Sequence, residues 1–297
     1  MRIAGALWCL AAMGLIAGCE SSRTTPLDVT DSSVRRAASQ QSLIWTIAGY
    51  VYSYTFSGQK VSELDGFREP VGLCSDPSSD LYVVDAGTDL IYEYAPGQVL
   101  PFYIYDDLYE SPNSCSFDPT TGNLAVANSA NVTIFPPASG TPLTYTATNM
   151  KSYAYLDYDA SGNLYVDGEG LKGGFALAML VAQSNNLTGL SLSNLGSGKH
   201  RAGGLIWDGQ DIAVADPLST VIDRISISGS KAEIVDSWHI PNWKLHYDPV
   251  FAIDRARLLF PRDGELEFFS YPPKGPAKNG FTGDIGTVLT IAPEVTN

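Results

Sequence analysis

Basic residues are scarce in this sequence. It contains 18 Lys and Arg against 32 Asp and Glu, a net charge of −14, and the basic residues form no cluster. Proteins that bind nucleic acids need a basic face to neutralise phosphates. The composition therefore argues against a nucleic-acid partner. Charged residues make up 17% of the chain against 44% hydrophobic residues, a balance that indicates a globular body rather than long disorder.

Residues typical of hydrolytic and zinc sites are also few. The three histidines are His200, His239 and His246, and the spacing of the last two matches neither a pair on one helical face nor a compact zinc motif. No Gly-x-Ser-x-Gly elbow is present, so the sequence shows no nucleophilic serine of that type. We interpret the histidines as loop or solvated residues and predict no catalytic residues.

Helical spacing is nearly absent. From Leu43 onward, short runs rich in Val, Ile, Leu and Tyr alternate with clusters of Gly, Pro, Asp, Asn and Ser, which is typical of strands separated by turns. Residues 175–183 have the best helical spacing, but such a short apolar run is equally compatible with a buried strand. The fold class is therefore predicted to be all-β.

The N-terminus carries a single charge followed by an uncharged stretch. Arg2 precedes residues 3–18, a run shorter than the roughly 20 apolar residues that span a bilayer. The run ends in Ile-Ala-Gly-Cys at residues 16–19, which resembles the lipobox of bacterial lipoproteins. The resemblance implies cleavage before Cys19 and attachment of diacylglycerol to its thiol. An ordinary signal peptide with an incidental cysteine is the alternative.

Acyl chains at Cys19 would anchor the protein to a membrane while its body stays in water. We therefore divide the chain into a lipoprotein signal peptide (1–18), a lipidated cysteine with a flexible polar tether (19–41) and one domain (42–297). The predicted location is the cell envelope. Glu20 stands where an aspartate would indicate retention at the inner membrane in many lipoproteins, so we favour the outer membrane, at its periplasmic face or the cell surface.

The domain contains an internal repeat. Residues 70–97 and 112–140 share one plan, in which an apolar run leads into an aspartate-led turn and two further apolar runs. Weaker copies follow. The aspartates that mark the turns are Asp76, Asp118, Asp159, Asp208 and Asp254. Their spacings of 42, 41, 49 and 46 residues average 44.5, the period of a four-stranded β-propeller blade.

The length of the domain sets the number of blades. Residues 41–297 comprise 257 residues, which is about 5.8 periods of 44.5 residues. We predict six blades, with five as the alternative. The remaining blade would be built from residues 43–58 and completed by a C-terminal strand at 288–291, which would close the ring.

Three segments between residues 70 and 94 carry a family resemblance. They read Pro-x-Gly-Leu-x-x-Asp-Pro, Leu-Tyr-Val-x-Asp and Ile-x-x-Tyr. The combination resembles the NHL and gluconolactonase-like propellers over residues 70–260, and more narrowly it is similar to uncharacterised secreted bacterial propellers. The resemblance implies blade architecture and says little about activity, because function on a propeller depends on sites placed on the fold.

Gluconolactonase-like propellers hold a divalent metal on the axis with carboxylates and an asparagine. Asn113 is the one local match to that asparagine, and Glu69 is the nearest candidate carboxylate. Asparagine after proline is also a common turn former, and we favour that role for Asn113. We therefore assign no metal site and no cofactor, and a divalent metal at Asn113 and Glu69 is the weaker alternative.

Two cysteines remain once the signal peptide is removed and Cys19 is lipidated. Cys74 lies two residues before its turn aspartate and Cys115 three residues before its own, so the two side chains leave opposite faces of equivalent strands. Opposite faces of neighbouring blades lie against each other, and cysteines outside the cytoplasm tend to pair. We predict an inter-blade disulfide between Cys74 and Cys115. Two buried free thiols are the alternative.

The sequence predicts a propeller on a lipid tether and shows no group of catalytic residues. This combination favours a non-enzymatic binding or scaffold module. Its partners would be the membrane, through the anchor, and a protein, peptide or glycan of unknown identity. A metal-dependent lactonase-like hydrolase is the alternative function.

Overall fold

The computed structural model describes the chain from residue 42 to residue 293, with five short gaps. The described ranges are 42–108, 111–137, 140–193, 200–243, 250–262 and 264–293. The predicted signal peptide, Cys19 and the tether lie outside the described residues, as does His246.

The described residues form strands joined by turns and loops. No helix among them is long and apolar enough to cross a bilayer. In chain order the strands are β1 Leu43–Ala48, β2 Tyr50–Tyr54, β3 Lys60–Leu64, β4 Pro70–Ser75, β5 Leu81–Asp85, β6 Leu90–Tyr94, β7 Tyr103–Asp106, β8 Pro112–Phe117, β9 Leu124–Asn128, β10 Val132–Phe135, β11 Leu143–Tyr145, β12 Met150–Tyr158, β13 Leu164–Gly170, β14 Phe175–Leu180, β15 Leu187–Gly189, β16 Ser191–Ser193, β17 Leu205–Trp207, β18 Ile212–Asp216, β19 Val221–Ser228, β20 Lys231–His239, β21 Ala252–Asp254, β22 Arg257–Arg262, β23 Glu265–Ser270, β24 Asn279–Thr282 and β25 Val288–Ala292.

These strands form six sheets, which are the blades of a β-propeller. Each blade has four antiparallel strands, so the prediction of six blades is confirmed. From the axis outward the blades are β25-β1-β2-β3, β4-β5-β6-β7, β8-β9-β10-β11, β12-β13-β14-β15, β17-β18-β19-β20 and β21-β22-β23-β24, numbered one to six. The short strand β16 adds in parallel to the outer edge of blade five through β20.

The last strand of the chain closes the ring. β25 pairs antiparallel with β1, with Trp45 opposite Thr290, and forms the innermost strand of blade one. Val288 also bridges Val250, which precedes the inner strand of blade six. The predicted closure by a C-terminal strand is therefore confirmed. It pairs a strand edge that would otherwise be open at the junction of the two chain ends.

The apolar core is divided among the blade interfaces. Six clusters of buried side chains each join two neighbouring blades; Ile44 of blade one, for example, packs with Leu259 of blade six. The second strand of a blade is covered on both faces, and every residue of β5, β9 and β18 is buried. This double burial explains why these strands read as continuous apolar runs without alternation.

The propeller has two faces, defined by the inner strands. The upper face is the end at which the inner strands begin, and the lower face is the end at which they stop. The turn aspartates lie at the lower face, where Asp76 Oδ1 accepts a hydrogen bond from Asp80 N and Asp159 Oδ1 accepts one from Ser161 N, each at 2.8 Å. These side chains cap the hairpin between the first two strands of a blade.

The inner strands of blades two and three are joined covalently. Cys74 on β4 and Cys115 on β8 form a disulfide with their Cα atoms 5.6 Å apart, so the predicted pairing is confirmed. Gly72 lies on β4, where a Cβ atom would be 2.6 Å from the backbone oxygen of Asn113. Only glycine permits this approach, which accounts for the Gly in the Pro-x-Gly-Leu segment.

Residues 175–180 are strand β14 rather than a helix. The segment pairs with β13 and β15 in the middle of blade four, and its residues 176–178 are buried. Coverage on both faces permits a continuous apolar run, and such a run can also show helical spacing.

We expect removal of the disulfide to destabilise the domain. The 41-residue separation of Cys74 and Cys115 corresponds to about 4 kcal/mol of chain entropy in the unfolded state. The double variant Cys74→Ala, Cys115→Ala should unfold at lower urea concentration than the wild type. Thiol titration of the denatured, unreduced chains should give equal counts for the two proteins. Two extra thiols in the wild type would show that the bridge does not form.

Candidate functional site

The axis of the propeller holds a cavity of about 250 Å³. All six inner strands line it, and most of its side chains are apolar or small hydroxyls, such as Leu73, Ser114 and Ile206. Among the described residues, Asp157 is the one carboxylate that borders this cavity. A divalent metal held by protein oxygens would need several such ligands.

The Asp157 carboxylate is held by hydrogen bonds across three blades. Its Oδ1 accepts from Ser116 Oγ of blade three at 2.7 Å and from Tyr158 N at 3.0 Å, while Oδ2 accepts from Trp207 N of blade five at 2.8 Å. Removal from bulk water raises the pKa of Asp157 from 3.8 to about 6, although these hydrogen bonds act in the opposite direction. The geometry is that of a structural tie between inner strands.

The two weaker metal candidates, Asn113 and Glu69, do not line the axial cavity. Asn113 Nδ2 donates to Tyr153 O at 3.1 Å and so joins blade three to blade four. Glu69 is exposed, and its backbone N–H donates to Asp85 Oδ1. In the part of the chain that the structure describes, Glu69 does not belong to a group of three His, Cys, Asp or Glu ligands.

A buried polar residue ends the second strand of blades two, three and five. These residues are Asp85, Asn128 and Asp216, each no more than 2% exposed. Asp85 shows the role: its Oδ2 accepts from Arg68 N at 2.9 Å and its Oδ1 from Glu69 N at 2.6 Å. Because residues 68 and 69 lead into β4, the carboxylate fixes the start of an inner strand. The aspartate of the Leu-Tyr-Val-x-Asp segment is thus a backbone tie.

Blade five departs from this pattern at Asp216. Its Oδ1 accepts from Arg201 N at 3.3 Å and from Leu218 N at 3.0 Å, but its Oδ2 has no hydrogen-bond partner. That oxygen lies 3.0 Å from Nδ1 of His200, which in turn is 3.4 Å from Oδ2 of Asp223. Burial raises the pKa of Asp223.

This group contradicts part of the sequence interpretation of the histidines. His200 does lie in a segment between strands, as predicted, but its side chain is only 18% exposed and faces two buried carboxylates. His239 is exposed at the end of β20. No sequence motif marks the group, because its members come from a connecting segment and two strands, at separations of 16 and 7 residues.

A cleft of about 520 Å³ opens at the upper face beside this group. Blade four contributes Tyr155 and Glu169 to its walls, and the segment that leads into blade five contributes His200 and Arg201. Leu218, from the loop between β18 and β19, forms part of the rim. The cleft is therefore built from strand residues of blade four and connecting segments of blade five.

Comparisons with known proteins agree with this fold. No protein-family model matches the chain, and no curated protein is similar to it in sequence. A chain from the crystal structure of a nidogen/laminin complex is similar over 85% of this chain and 99% of that chain, with a TM-score of 0.69 and 13% identity. The Cps50 (Swd1) β-propeller domain of Myceliophteria thermophila is similar over 80% of this chain and 81% of that chain, with a TM-score of 0.58 and 11% identity.

Fold and comparisons together define the class of this protein as a six-bladed β-propeller. At 11% and 13% identity the likeness concerns the fold alone. The narrower resemblance to NHL and gluconolactonase-like propellers stays a prediction.

We expect Asp157 to make the domain more stable in mild acid. Its pKa is about 6 in the folded protein and near 3.9 when unfolded, so the folded state binds the proton more tightly. The cost of the buried charge is present above pH 6 and disappears as the pH falls towards 4. It is at most about 3 kcal/mol, and less where water solvates the carboxylate.

Urea unfolding of the wild type at pH 7.5 and 5.0 would measure this effect. The unfolding free energy should increase on acidification, and Asp157→Asn should reduce the increase. The exposed Asp236→Asn is the matched control and should leave it unchanged. Equal pH dependence in the wild type and Asp157→Asn would contradict the assignment.

Proposed function

We propose that this protein is a non-enzymatic binding module of the bacterial cell envelope, held by lipid at Cys19, which binds a protein or peptide segment at its upper face. The observation that carries the proposal is the cleft between blades four and five together with two exposed leucines on the same face. Leu171, in the loop between β13 and β14, is 64% exposed, and Leu218 on the rim is 38% exposed. Apolar side chains in contact with water at the mouth of a cleft are typical of sites that bind protein partners.

The mixed character of the cleft fits a peptide better than a small apolar molecule. Glu169 and Arg201 place opposite charges on its walls, and Tyr155 adds an aromatic ring with a polar tip. An extended segment could place its polar groups beside these residues while it buries an apolar side chain against Leu218. The lactonase-like alternative has less support, because neither Asn113 nor Glu69 lines the axial cavity, where Asp157 is the one described carboxylate.

The direction of the chain suits an N-terminal anchor. β1 is antiparallel to the inner strand β25, with Leu43 opposite Ala292, so the domain begins at the lower face. The cleft lies at the upper face, on the opposite side of the disc. An anchor attached before residue 43 would therefore join the domain at the lower face, opposite the cleft.

Lipid attachment can be tested at Cys19. In a bacterial host the wild-type chain should incorporate radiolabelled palmitate and sediment with membranes, because acyl chains partition into the bilayer. Cys19→Ser should lose both properties. Cys9→Ser, in the predicted signal peptide, is the matched control and should retain them. Labelled Cys19→Ser protein would exclude Cys19 as the lipidated residue.

The binding face can be tested by site-specific photocrosslinking in cells. A photoreactive residue in place of Leu171 or Leu218 should give discrete crosslinked products, because Leu218 lines the cleft and Leu171 shares the β13–β14 loop with Gly174, which also lines it. The same residue in place of Leu100, which is 75% exposed in the loop between β6 and β7 at the lower face, is the control. Products of equal amount from all three positions would argue against an upper-face site.

A further inference from the structure

The group formed by His200, Asp216 and Asp223 has the composition and spacing of a metal site. Each residue offers one ligand atom, and the three atoms lie within 4.8 Å of one another. Asp216 is 2% exposed and Asp223 is 4% exposed. Two carboxylates so close together repel each other in a buried setting unless a cation lies between them.

The arrangement of His200 and Asp216 is not that of an ordinary hydrogen bond. Nδ1 of His200 lies 3.0 Å from Asp216 Oδ2, yet neither atom has a hydrogen-bond partner. Two atoms that bind one tetrahedral Zn²⁺ at about 2.0–2.1 Å lie about 3.3 Å apart. The separations of 3.0 and 3.4 Å fit that arrangement.

Blade two provides an internal comparison. Asp85 ends β5 as Asp216 ends β18, and backbone N–H groups occupy both of its carboxylate oxygens. Tyr92 stands in β6 where Asp223 stands in β19, since each is opposite the valine two residues before the aspartate. Blade five thus differs from blade two in two ways. Asp216 Oδ2 has no hydrogen-bond partner, and Asp223 adds a second carboxylate where blade two has Tyr92.

Further contacts hold the two carboxylates in place. Asp216 keeps its backbone tie through Oδ1, while Asp223 Oδ1 accepts a hydrogen bond from Ser237 Oγ. In each residue the other oxygen, Oδ2, faces His200. Such outer contacts orient metal ligands in proteins.

We propose that His200, Asp216 and Asp223 form a Zn²⁺ site at the base of the cleft between blades four and five. One imidazole nitrogen with two carboxylate oxygens suits Zn²⁺, whereas Ca²⁺ and Mg²⁺ prefer sites made of oxygen alone. Three protein ligands leave a fourth position, and His200 also lines the cleft. A water molecule or a carboxylate of the bound segment would take that position.

A protonated His200 between the two aspartates is the competing explanation. It would satisfy the charges without metal and would predict no specific binding of Zn²⁺. Metal binding therefore distinguishes the two, and it does so without reference to the partner that the cleft binds. Failure of the crosslinking experiment would leave the zinc site standing, and the reverse also holds.

The test is calorimetric titration of the purified full chain with ZnCl₂ after chelator treatment. The wild type should bind one equivalent of Zn²⁺. The zinc affinity should fall at least roughly tenfold in each of three variants, His200→Gln, Asp216→Asn and Asp223→Asn. His239→Gln, the same substitution at an exposed histidine, is the matched control and should bind like the wild type. Zn²⁺ should also raise the melting temperature of the wild type more than that of the three site variants.

Melting in chelator shows whether each variant is folded. In Asp216→Asn the amide oxygen can still accept the backbone hydrogen bonds that Oδ1 of Asp216 accepts. If both aspartate variants unfold, the zinc affinity of His200→Gln tests the proposal. Equal zinc affinity in the wild type and His200→Gln would overturn the proposal, as would the absence of zinc binding. Tighter binding of Ca²⁺ or Mg²⁺ than of Zn²⁺ would overturn the choice of metal.

Discussion

Ring closure is the constraint on which the rest of this structure depends. Each blade has two broad faces, and the structure covers them with the faces of its neighbours, since the apolar clusters lie between adjacent blades. A blade alone could not bury enough apolar surface to offset the entropy of ordering its strands. The pairing of β25 with β1 completes blade one, and residues of both strands take part in the clusters that join this blade to blades two and six.

The same arrangement determines where chemistry can be placed. Six inner strands converge on the axis, and Gly72 shows how closely two of them approach. Little room is left there for long polar side chains, and the carboxylate of Asp157 serves as a tie between blades. The strand ends are less crowded. Polar residues at the upper ends of β5, β9 and β18 already serve to fix the backbone, so a small change at one of them can produce a site.

Most of the fold could be predicted because its signals are local. Turn aspartates such as Asp76 act within a few residues of themselves, and their spacing alone gave the period of the blades. The Cys74–Cys115 pair followed from strand alternation relative to those turns. Closure by the last strand needed one further step, the division of domain length by the period.

The candidate site could not be predicted in the same way. Asp216 looks like the other residues that end a second strand, and nothing in the sequence shows that its Oδ2 lacks the backbone partner that Asp85 has. The position of the His200 side chain depends on the packing of blades four and five. The repeat predicts where each aspartate lies on its strand, whereas the site depends on which hydrogen bonds each carboxylate makes.

A repeat fold can acquire a site at limited cost to stability. One oxygen of Asp216 still fixes the segment that leads into blade five, so the inner strand keeps its position while the other oxygen becomes free. The unsatisfied atoms of His200 and Asp216 cost stability, since buried polar groups without partners are unfavourable. Closure and packing in the other interfaces do not depend on these atoms. The propeller can therefore retain such a group in one blade while the remaining blades maintain the fold.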